Sequence, residues 1–235
     1  KGSLLYVASI FTGVPLIVYS TACIITLTLK KHISPRLYFV KLKYVRTIYS
    51  LGFKFFILQI SGILIFTTSN LIISQLFGPK EVTPYNLAFK YMSILSIGFT
   101  IVLTPFWSAV TDAITRGEYD WVKKTVISLN KIWGLSVICA IIMTIICDWV
   151  YKIWLNDSID IPMHLTIACA AYACVSNWNN IYSYILSGTG KLQIQLWLAS
   201  FQGIIYIPCA IILGKVMGLV GIPIALTCVL LLSSI

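Results

Sequence analysis

The chain has 235 residues, of which 59% are hydrophobic and only 10% are charged, and its mean hydropathy is +0.92. Because a soluble domain usually has about 25% charged residues, this composition excludes an ordinary soluble protein and indicates an integral membrane protein. The formal net charge of +10 would suggest nucleic-acid binding in a soluble domain. Here we expect the basic residues to lie beside anionic membrane lipids, and we expect no nucleic-acid partner.

Charges and turn residues divide the sequence into seven apolar segments, each long enough to cross about 30 Å of hydrocarbon as a helix. The segments are 4–29, 55–77, 85–110, 126–148, 162–187, 192–213 and 216–235. A backbone in lipid must satisfy its own hydrogen bonds, and these lengths suit helices better than barrel strands. The sequence therefore predicts an all-α, polytopic transmembrane helix bundle of about seven spans. Its start without Met and its end inside an apolar stretch make us expect part of a larger transporter-like protein.

The stretch 30–54, which joins the first two segments, mixes basic residues with aromatic ones and predicts a basic connection with an interfacial helix. Lys and Arg in short loops resist translocation and so set the orientation of a membrane protein. Twelve of the 17 Lys and Arg residues lie on the side of this connection, and five lie on the other side. We therefore expect the loops after the first, third and fifth segments to face the cytoplasm.

The turn between the second and third segments contains Gly78, Thr83 and Pro84. Gly accepts the conformation that ends a helix, and Thr followed by Pro is a typical helix start. Segment three is therefore predicted to begin at Pro84, which places Lys90 roughly 9 Å inside the helix. A Lys deep in a span costs about 2.5–3.5 kcal/mol unless its stem extends to the interface. Lys90 either reaches the interface in this way or points into an aqueous cavity between helices.

Such a cavity would also receive Tyr85 and Asn86, at the start of the same segment, and Asn70 from segment two. Lys54 and Lys131 lie near the cytoplasmic ends of their segments. Each either extends its side chain to the interface or points into a cavity between helices. Pro105, inside segment three, removes a backbone hydrogen bond, and we expect a bend there.

Three asparagines interrupt the segment 162–187. Asn177, Asn180 and Tyr184 follow i, i+3, i+7 spacing and share one helix face, whereas Asn179 lies about 100° away from Asn180. Lipid offers these amides no hydrogen-bond partner. They either bond to a neighbouring helix or line a polar lumen, and Asn179 is expected to meet a different neighbour.

The acidic residues are all in loops or at segment ends: Glu81, Asp112, Glu118, Asp120, Asp148, Asp157 and Asp160. A transporter of cationic drugs would favour a carboxylate at mid-membrane, so Lys without an acid suits an anionic cargo better. The sequence has no nucleotide-binding or nucleophile motif and no Cys or His spacing typical of a metal site. We therefore expect neither enzymatic activity nor a metal or cofactor.

Three stretches, "LFGPKEVTPYNLAFKY", "LTPFWSAVTDAITRGEYDWVKK" and "YILSGTGKLQIQ", resemble the second half of Wzx-type O-antigen and polysaccharide flippases, over roughly residues 50–200. These belong to the multidrug/oligosaccharidyl-lipid/polysaccharide exporter superfamily. The resemblance implies about twelve helices in two six-helix lobes around a V-shaped central cavity. Residues 1–29 would then be the last helix of the N-terminal lobe, 30–54 the cytoplasmic connection, and 55–235 the C-terminal lobe.

The resemblance further implies transport of undecaprenyl-pyrophosphate-linked oligosaccharide across the bacterial inner membrane, through a cationic lumen and beside other polysaccharide assembly proteins. Lys90 matches a position that is commonly basic in the family and is the first candidate for substrate binding. The remaining candidates are Tyr85, Asn86, Asn70, Asn177, Asn180, Lys54 and Lys131. Two other functions stay open: a multidrug-type, cation-coupled exporter, and a membrane-embedded polymerase or glycosyltransferase. The latter would need catalytic acids in a long loop, and 30–54 contains none.

Overall fold

A computed structural model describes residues 2–30, 41–155, 159–190 and 192–233. All regular elements in these ranges are helices, which confirms the prediction of an all-α bundle. The chain divides into two compact units, residues 1–50 and 51–235.

Eight α-helices follow one another in the described ranges, and seven of them correspond to the seven predicted segments. They are α1 Gly2–Leu29, α2 Leu42–Leu76, α3 Val82–Thr115, α4 Tyr119–Ile145, α5 Cys147–Leu155, α6 Met163–Gly188, α7 Leu192–Met217 and α8 Gly221–Ser233. Only the short α5 was not predicted from the sequence.

Five stretches of the described chain are long and apolar enough to cross a membrane. They are Tyr6–Leu29, Ile48–Leu76, Pro79–Thr115, Tyr119–Ile145 and Leu192–Leu232, the last of which contains both α7 and α8. The protein is therefore a multi-pass membrane protein. Helix α6 is long enough but is not one of these stretches, because its asparagines and serines reduce its apolar content.

In the first unit, α1 exposes most of its apolar side chains, including Phe11 and Ile17. Its Thr12 and Thr26 hydroxyls donate to carbonyl oxygens four residues earlier, at 2.6 and 2.8 Å. Hydroxyls that are satisfied inside the helix suit a surface in contact with lipid or another apolar helix. The interfacial helix predicted within 30–54 lies partly on residues 31–40, outside the described residues, and its later part is the beginning of α2.

The corner between α2 and α3 differs from the prediction. Gly78 has a φ of +96°, which glycine accepts readily, and α2 ends nearby as expected. A 3₁₀ turn then spans Pro79–Glu81 and continues directly into α3 at Val82. The predicted helix start at Pro84 with a Thr83 cap is therefore wrong, because the turn supplies the first helical residues without a side-chain cap.

Helices α3 and α6 form the centre of the second unit and bury side chains in two clusters. The larger cluster contains Tyr85, Met92, Leu165, Tyr206 and Ile222, and the smaller consists of Phe99, Leu103, Leu129 and Ile181. Because lipid tails are as apolar as these side chains, close packing and interhelical hydrogen bonds hold the helices together. Examples are the bonds from the Tyr91 hydroxyl to the Met143 carbonyl, 2.9 Å, and from Trp133 Nε1 to the Cys174 carbonyl, 2.8 Å.

Helix α5 is a short amphipathic helix that follows α4. Cys147 and Tyr151 face the core, while Trp149 and Ile153 are exposed on the opposite face. The Tyr151 hydroxyl shares a 3.0 Å hydrogen bond with Thr166 Oγ1, and burial raises the pKa of Tyr151. The hydroxyl therefore stays protonated near neutral pH.

Candidate functional site

The second unit contains a cavity of about 440 Å³ between four helices, called the polar cavity below. Its walls are formed by the turns of α2 that follow residue 51, the end of α3, the end of α6 and the start of α7. The lining side chains are Phe55, Leu58, Gln59, Trp107, Asn179, Asn180, Ser183, Tyr184, Ser187, Gln195, Leu198, Ala199 and Gln202. Because successive helices alternate in direction, all four contribute from the same end of the bundle.

Hydrogen bonds fix several of the polar side chains between α6 and α7. Gln195 Nε2 donates to the Ser183 carbonyl oxygen at 2.6 Å and lies 3.2 Å from Ser187 Oγ. Ser183 Oγ donates in turn to Asn179 Oδ1 at 3.2 Å. The cavity wall is therefore held in place before any ligand binds, which reduces the entropy lost on binding.

Three aromatic rings also line the polar cavity. Trp107 lies 5.4 Å from Phe55 and 6.0 Å from Tyr184, measured between ring centroids, and meets Tyr184 edge to face. Trp107 is 36% exposed, so part of its indole remains accessible. Aromatic surface with a few polar groups beside it is typical of ligand-binding cavities.

Helices α3 and α6 approach closely at this end because Gly188 has no side chain. A Cβ atom there would lie 2.8 Å from Val110 Cγ1 and 3.3 Å from the Trp107 carbonyl oxygen. Thr111 Oγ1 also donates to the Gly188 carbonyl oxygen at 3.1 Å. Gly188 therefore sets the distance between the two helices that carry Trp107 and the asparagines.

A second, open groove of about 590 Å³ adjoins Trp107 on α3. Trp107 and Asp112 line it together with four hydroxyl residues, Thr104, Ser108, Thr111 and Thr115, which we call the hydroxyl stripe. Each of these hydroxyls donates to a carbonyl oxygen of α3, so its own oxygen remains available as an acceptor. The stripe therefore offers acceptors to a ligand that donates hydrogen bonds.

The structure separates the two asparagines that we predicted on one face. Asn180 lines the polar cavity, together with Asn179, which was expected to meet a different neighbour. Asn177 is instead 0% exposed, and neither atom of its amide has a hydrogen-bond partner among the described residues. Its neighbours one turn away, Ala173 and Ile181, are buried as well, so Asn177 belongs to the packed ridge of α6.

Three other candidates lie far from the polar cavity. Tyr85 is buried, and Asn70 and Asn86 are half-buried; the Tyr85 hydroxyl and both Asn Oδ1 atoms are enclosed and unpaired within the described chain. Tyr85 and Trp107 are separated by about 33 Å along α3, at 1.5 Å per residue. These side chains therefore occupy the interior at the opposite end of the bundle.

The lysines do not line the polar cavity. Lys54 is half-buried and lies one turn before Leu58 on α2, at the end of the cavity. Lys90 and Lys131 are exposed on α3 and α4. Lys90 precedes Thr104 and Thr111 by two and three heptads, so it shares a face of α3 with the hydroxyl stripe, within about 60° of rotation.

No family model matches the chain, and no solved structure matches it. A curated protein of Salmonella typhimurium strain LT2, named "Putative O-antigen transporter", is 21% identical to the chain over 160 residues. The matched region covers 64% of this chain and 36% of that protein, so the chain corresponds to about a third of its relative. This likeness supports a membrane transport protein.

Sequence reasoning missed the residues that form most of the polar cavity. Gln59, Gln195 and Gln202 are amides inside apolar segments, a signal of the same kind as the asparagines. Trp107 lay near a segment end, where an aromatic residue suggests only an interfacial position. The meeting of these positions depends on helix packing, which one sequence does not reveal.

The polar cavity is neutral, since none of the described side chains that line it is charged. Its chemistry consists of amides, hydroxyls and aromatic rings. Among the residues described, no group of three or more His, Cys, Asp or Glu is placed to hold a metal ion. The arrangement can therefore recognise an uncharged, hydroxyl-rich ligand.

Proposed function

We propose that this chain is part of a bacterial inner-membrane flippase for lipid-linked oligosaccharides, and that the polar cavity binds the glycan. The observation that carries this proposal is the neutral lining of the cavity, in which amides and hydroxyls occur together with the rings of Trp107 and Tyr184. Sugar hydroxyls donate and accept hydrogen bonds, as do amides, and their apolar faces can contact aromatic rings. The likeness to a protein named an O-antigen transporter supports the same substrate class.

In this proposal residues 55–235 form one six-helix lobe of a two-lobed transporter. Residues 1–29 are the last helix of the other lobe, and 30–54 are the cytoplasmic connection. Lys and Arg are concentrated in the loops at the end of the bundle where the polar cavity lies, which favours a cytoplasmic location of that end. The cavity would then open toward the cytoplasm, where the glycan is assembled. The function requires both lobes, because the substrate must be enclosed from two sides.

Lys90 has a separate role in the proposal. It lies on the face of α3 that carries the hydroxyl stripe, outside the neutral cavity. Its ammonium lies about 26 Å along α3 from Trp107, at 1.5 Å per residue, and would bind the pyrophosphate by charge-assisted hydrogen bonds once the cavity opens to the other leaflet. Lys54, Asn70, Tyr85, Asn86, Asn177 and Lys131 then have structural or interfacial roles.

The mechanism is physical and requires no covalent step. Fixed amides, hydroxyls and a positive charge replace the hydration of the glycan and pyrophosphate while they cross the bilayer. Rocking of one lobe against the other exposes the cavity first to one leaflet and then to the other. Membrane lipids surround the lobes, and polysaccharide assembly proteins would use the transported glycan.

The proposal is tested by complementation of a bacterial strain that lacks its polysaccharide flippase with the full-length protein. Trp107→Ala removes an accessible aromatic ring from the polar cavity. Trp121→Ala is the control, because Trp121 lies outside the cavity and is exposed to a similar extent, 38% compared with 36% for Trp107. We expect Trp107→Ala to lower surface polysaccharide severalfold at normal membrane abundance, and Trp121→Ala to leave it unchanged. Failure of the unaltered protein to restore any polysaccharide would contradict the proposed function.

A small-molecule export assay in the same strain tests the alternative. A multidrug-type exporter of cations would favour a carboxylate in its binding cavity, and none lines the polar cavity within the described residues. We expect no increase in resistance to cationic drugs. Increased resistance without restored polysaccharide would favour the alternative.

A further inference from the structure

A second, apolar pocket of about 190 Å³ lies deeper in the same unit, between α2, α3, α6, α7 and α8. Its wall includes Gly62, Phe66, Phe89, Tyr172 and Val229. Gly62, Phe66, Tyr172 and Val229 fall in the middle part of their helices, whereas Phe89 lies two turns inside the start of α3. The pocket therefore lies deeper in the bundle than the polar cavity.

The walls of this apolar pocket are aromatic and aliphatic. The Phe89 ring lies 5.4 Å from Phe66 and 5.3 Å from Tyr172, between centroids. Tyr206 also lines the pocket, and its hydroxyl is hydrogen-bonded to Ser69 Oγ at 2.5 Å. With this hydroxyl paired, the pocket presents mainly hydrocarbon. An apolar cavity of about 150 Å³ already holds a benzene-sized guest and stays dry.

The apolar pocket is continuous with the polar cavity. Gln202 lines both, and a groove on α2 joins Leu58 and Gln59 of the polar cavity to Gly62 and Phe66 of the apolar pocket. Gln59, Gly62 and Phe66 follow i, i+3, i+7 spacing, so they share one face of α2. Amides therefore give way to hydrocarbon within two helical turns along this face.

We infer that the apolar pocket binds an isoprenoid segment of the same lipid whose glycan occupies the polar cavity. The inference rests on the proposed function and adds a tail-binding subsite to it. A lipid-linked oligosaccharide has its glycan at the membrane surface and its chain toward mid-membrane, which matches the order of the two sites. Short branched isoprene units fit a pocket of this volume, and the aromatic rings provide close contacts.

Gly62 provides a way to fill the pocket without disturbing the helix. A Cβ atom at Gly62 would have no neighbour within 4 Å, so Leu can replace it and occupy the pocket. Gly98 on α3 is equally open, lines none of the cavities described here and is the matched control. Both changes replace Gly in a helix with a better helix former, so we expect both variants to fold.

The experiment uses the purified full-length protein in vesicles with a lipid-linked oligosaccharide that carries a photoreactive diazirine on its isoprenoid chain. We expect cross-links to peptides that contain Phe66 or Val229. We also expect Gly62→Leu to reduce them at least fivefold, and Gly98→Leu to leave them unchanged. Equal cross-linking of Gly62→Leu and the parent, or cross-links confined to other peptides, would overturn the inference.

A second probe, a phospholipid with the diazirine on its acyl chain, distinguishes substrate from bulk lipid. We expect an excess of lipid-linked oligosaccharide to prevent labelling of the pocket by this probe. Labelling that persists in that excess would mean that bulk lipid fills the pocket, and would also overturn the inference. If Gly62→Leu fails to accumulate, Val229→Phe fills the pocket from α8 and takes its place, with the same expected loss.

Failure of this inference is distinguishable from failure of the proposed function. If Gly62→Leu cross-links like the parent while the parent restores polysaccharide in cells, the tail-binding subsite is wrong and the flippase function stands. If the parent neither cross-links to the substrate nor restores polysaccharide, both are wrong.

Discussion

The two ends of the second unit carry similar polar side chains in opposite environments. At one end Asn179, Asn180 and Gln195 line the polar cavity, and hydrogen bonds hold this wall in place. At the other end the Tyr85 hydroxyl and the Asn86 Oδ1 atom are enclosed and have no hydrogen-bond partner in the described chain. The residue types are similar, so the packing around them determines whether they can meet a ligand.

Asn177 shows how small the difference can be. On an ideal helix it lies only about 60° from Asn180, yet Asn180 reaches the polar cavity and Asn177 is completely buried. A polar residue in a span is therefore a reason to look for a cavity, but its neighbours decide its role. The following predictions test this difference between the two ends, from the largest effect to the smallest.

Filling the polar cavity should have the largest effect. Ser183→Trp places a large ring among the amides, and we expect transport to fall about a hundredfold because the glycan no longer fits a close-packed site. Surface polysaccharide in the complementation strain measures this. Tyr182→Trp, at the neighbouring exposed position of α6, is the control and should transport normally. Equal activity of the two variants would mean that the polar cavity is not on the transport path.

Lys90→Ala removes the ammonium group and should lower transport about tenfold, which corresponds to a free-energy change of about 1.4 kcal/mol. Lys90→Arg should keep most of the activity, since it preserves the charge near the pyrophosphate. Lys152→Ala, an exposed Lys on α5, is the control. Full activity of Lys90→Ala would show that Lys90 only extends to the membrane interface.

Gly188→Ala should destabilise the second unit by about 1–3 kcal/mol, because its methyl group would overpack the contact between α3 and α6. Thermal unfolding of the full-length protein in detergent measures the change. Val110→Ala in the same chain should restore much of the stability by making space. Gly203→Ala has no neighbour within 4 Å and should not destabilise the protein. A double variant no more stable than Gly188→Ala would contradict this account of the contact.

Asn177→Leu should stabilise the protein by roughly 1 kcal/mol, because it replaces a buried, unpaired amide with a hydrocarbon of similar size. Asn180→Leu should change the stability by less than about 0.5 kcal/mol while lowering transport. Unfolding in detergent and complementation separate the two effects. Loss of stability in Asn177→Leu would show that a water or another group satisfies this amide.

The helical framework could be predicted because each span must cross the hydrocarbon layer and satisfy its backbone hydrogen bonds within the segment. Each span is therefore a long, apolar helix. Segment 85–110, for example, corresponds to α3, which extends at both ends to Val82–Thr115. Helix α4 begins at Tyr119, seven residues before the predicted 126, because charged residues such as Lys123 and Lys124 also form helix outside lipid. Helix α5 was missed, since nine residues are too few for a span.

The candidate site was less predictable than the fold. Asn180 lines the polar cavity, which is one of the two alternatives that the sequence left open, but Gln59 and Gln195 line it from other helices, and no sequence signal shows that these three positions meet. The prediction also emphasised lysines, because an isolated charge in a span is conspicuous. Lys90 and Lys131 are exposed on helix faces outside the neutral cavity, where the described helices alone do not assign them a ligand.

The most direct test of the central claim is the access of water and substrate to position 180 compared with position 177. The native cysteines of the full-length protein, among them the seven free cysteines of this chain, are first replaced, and Cys is then introduced at one position at a time. A membrane-impermeant thiol reagent added from the cytoplasmic side should label Cys at 180 rapidly, and lipid-linked oligosaccharide should protect it, whereas Cys at 177 should stay unlabelled. Equal labelling at both positions, or no labelling at 180, would contradict the account.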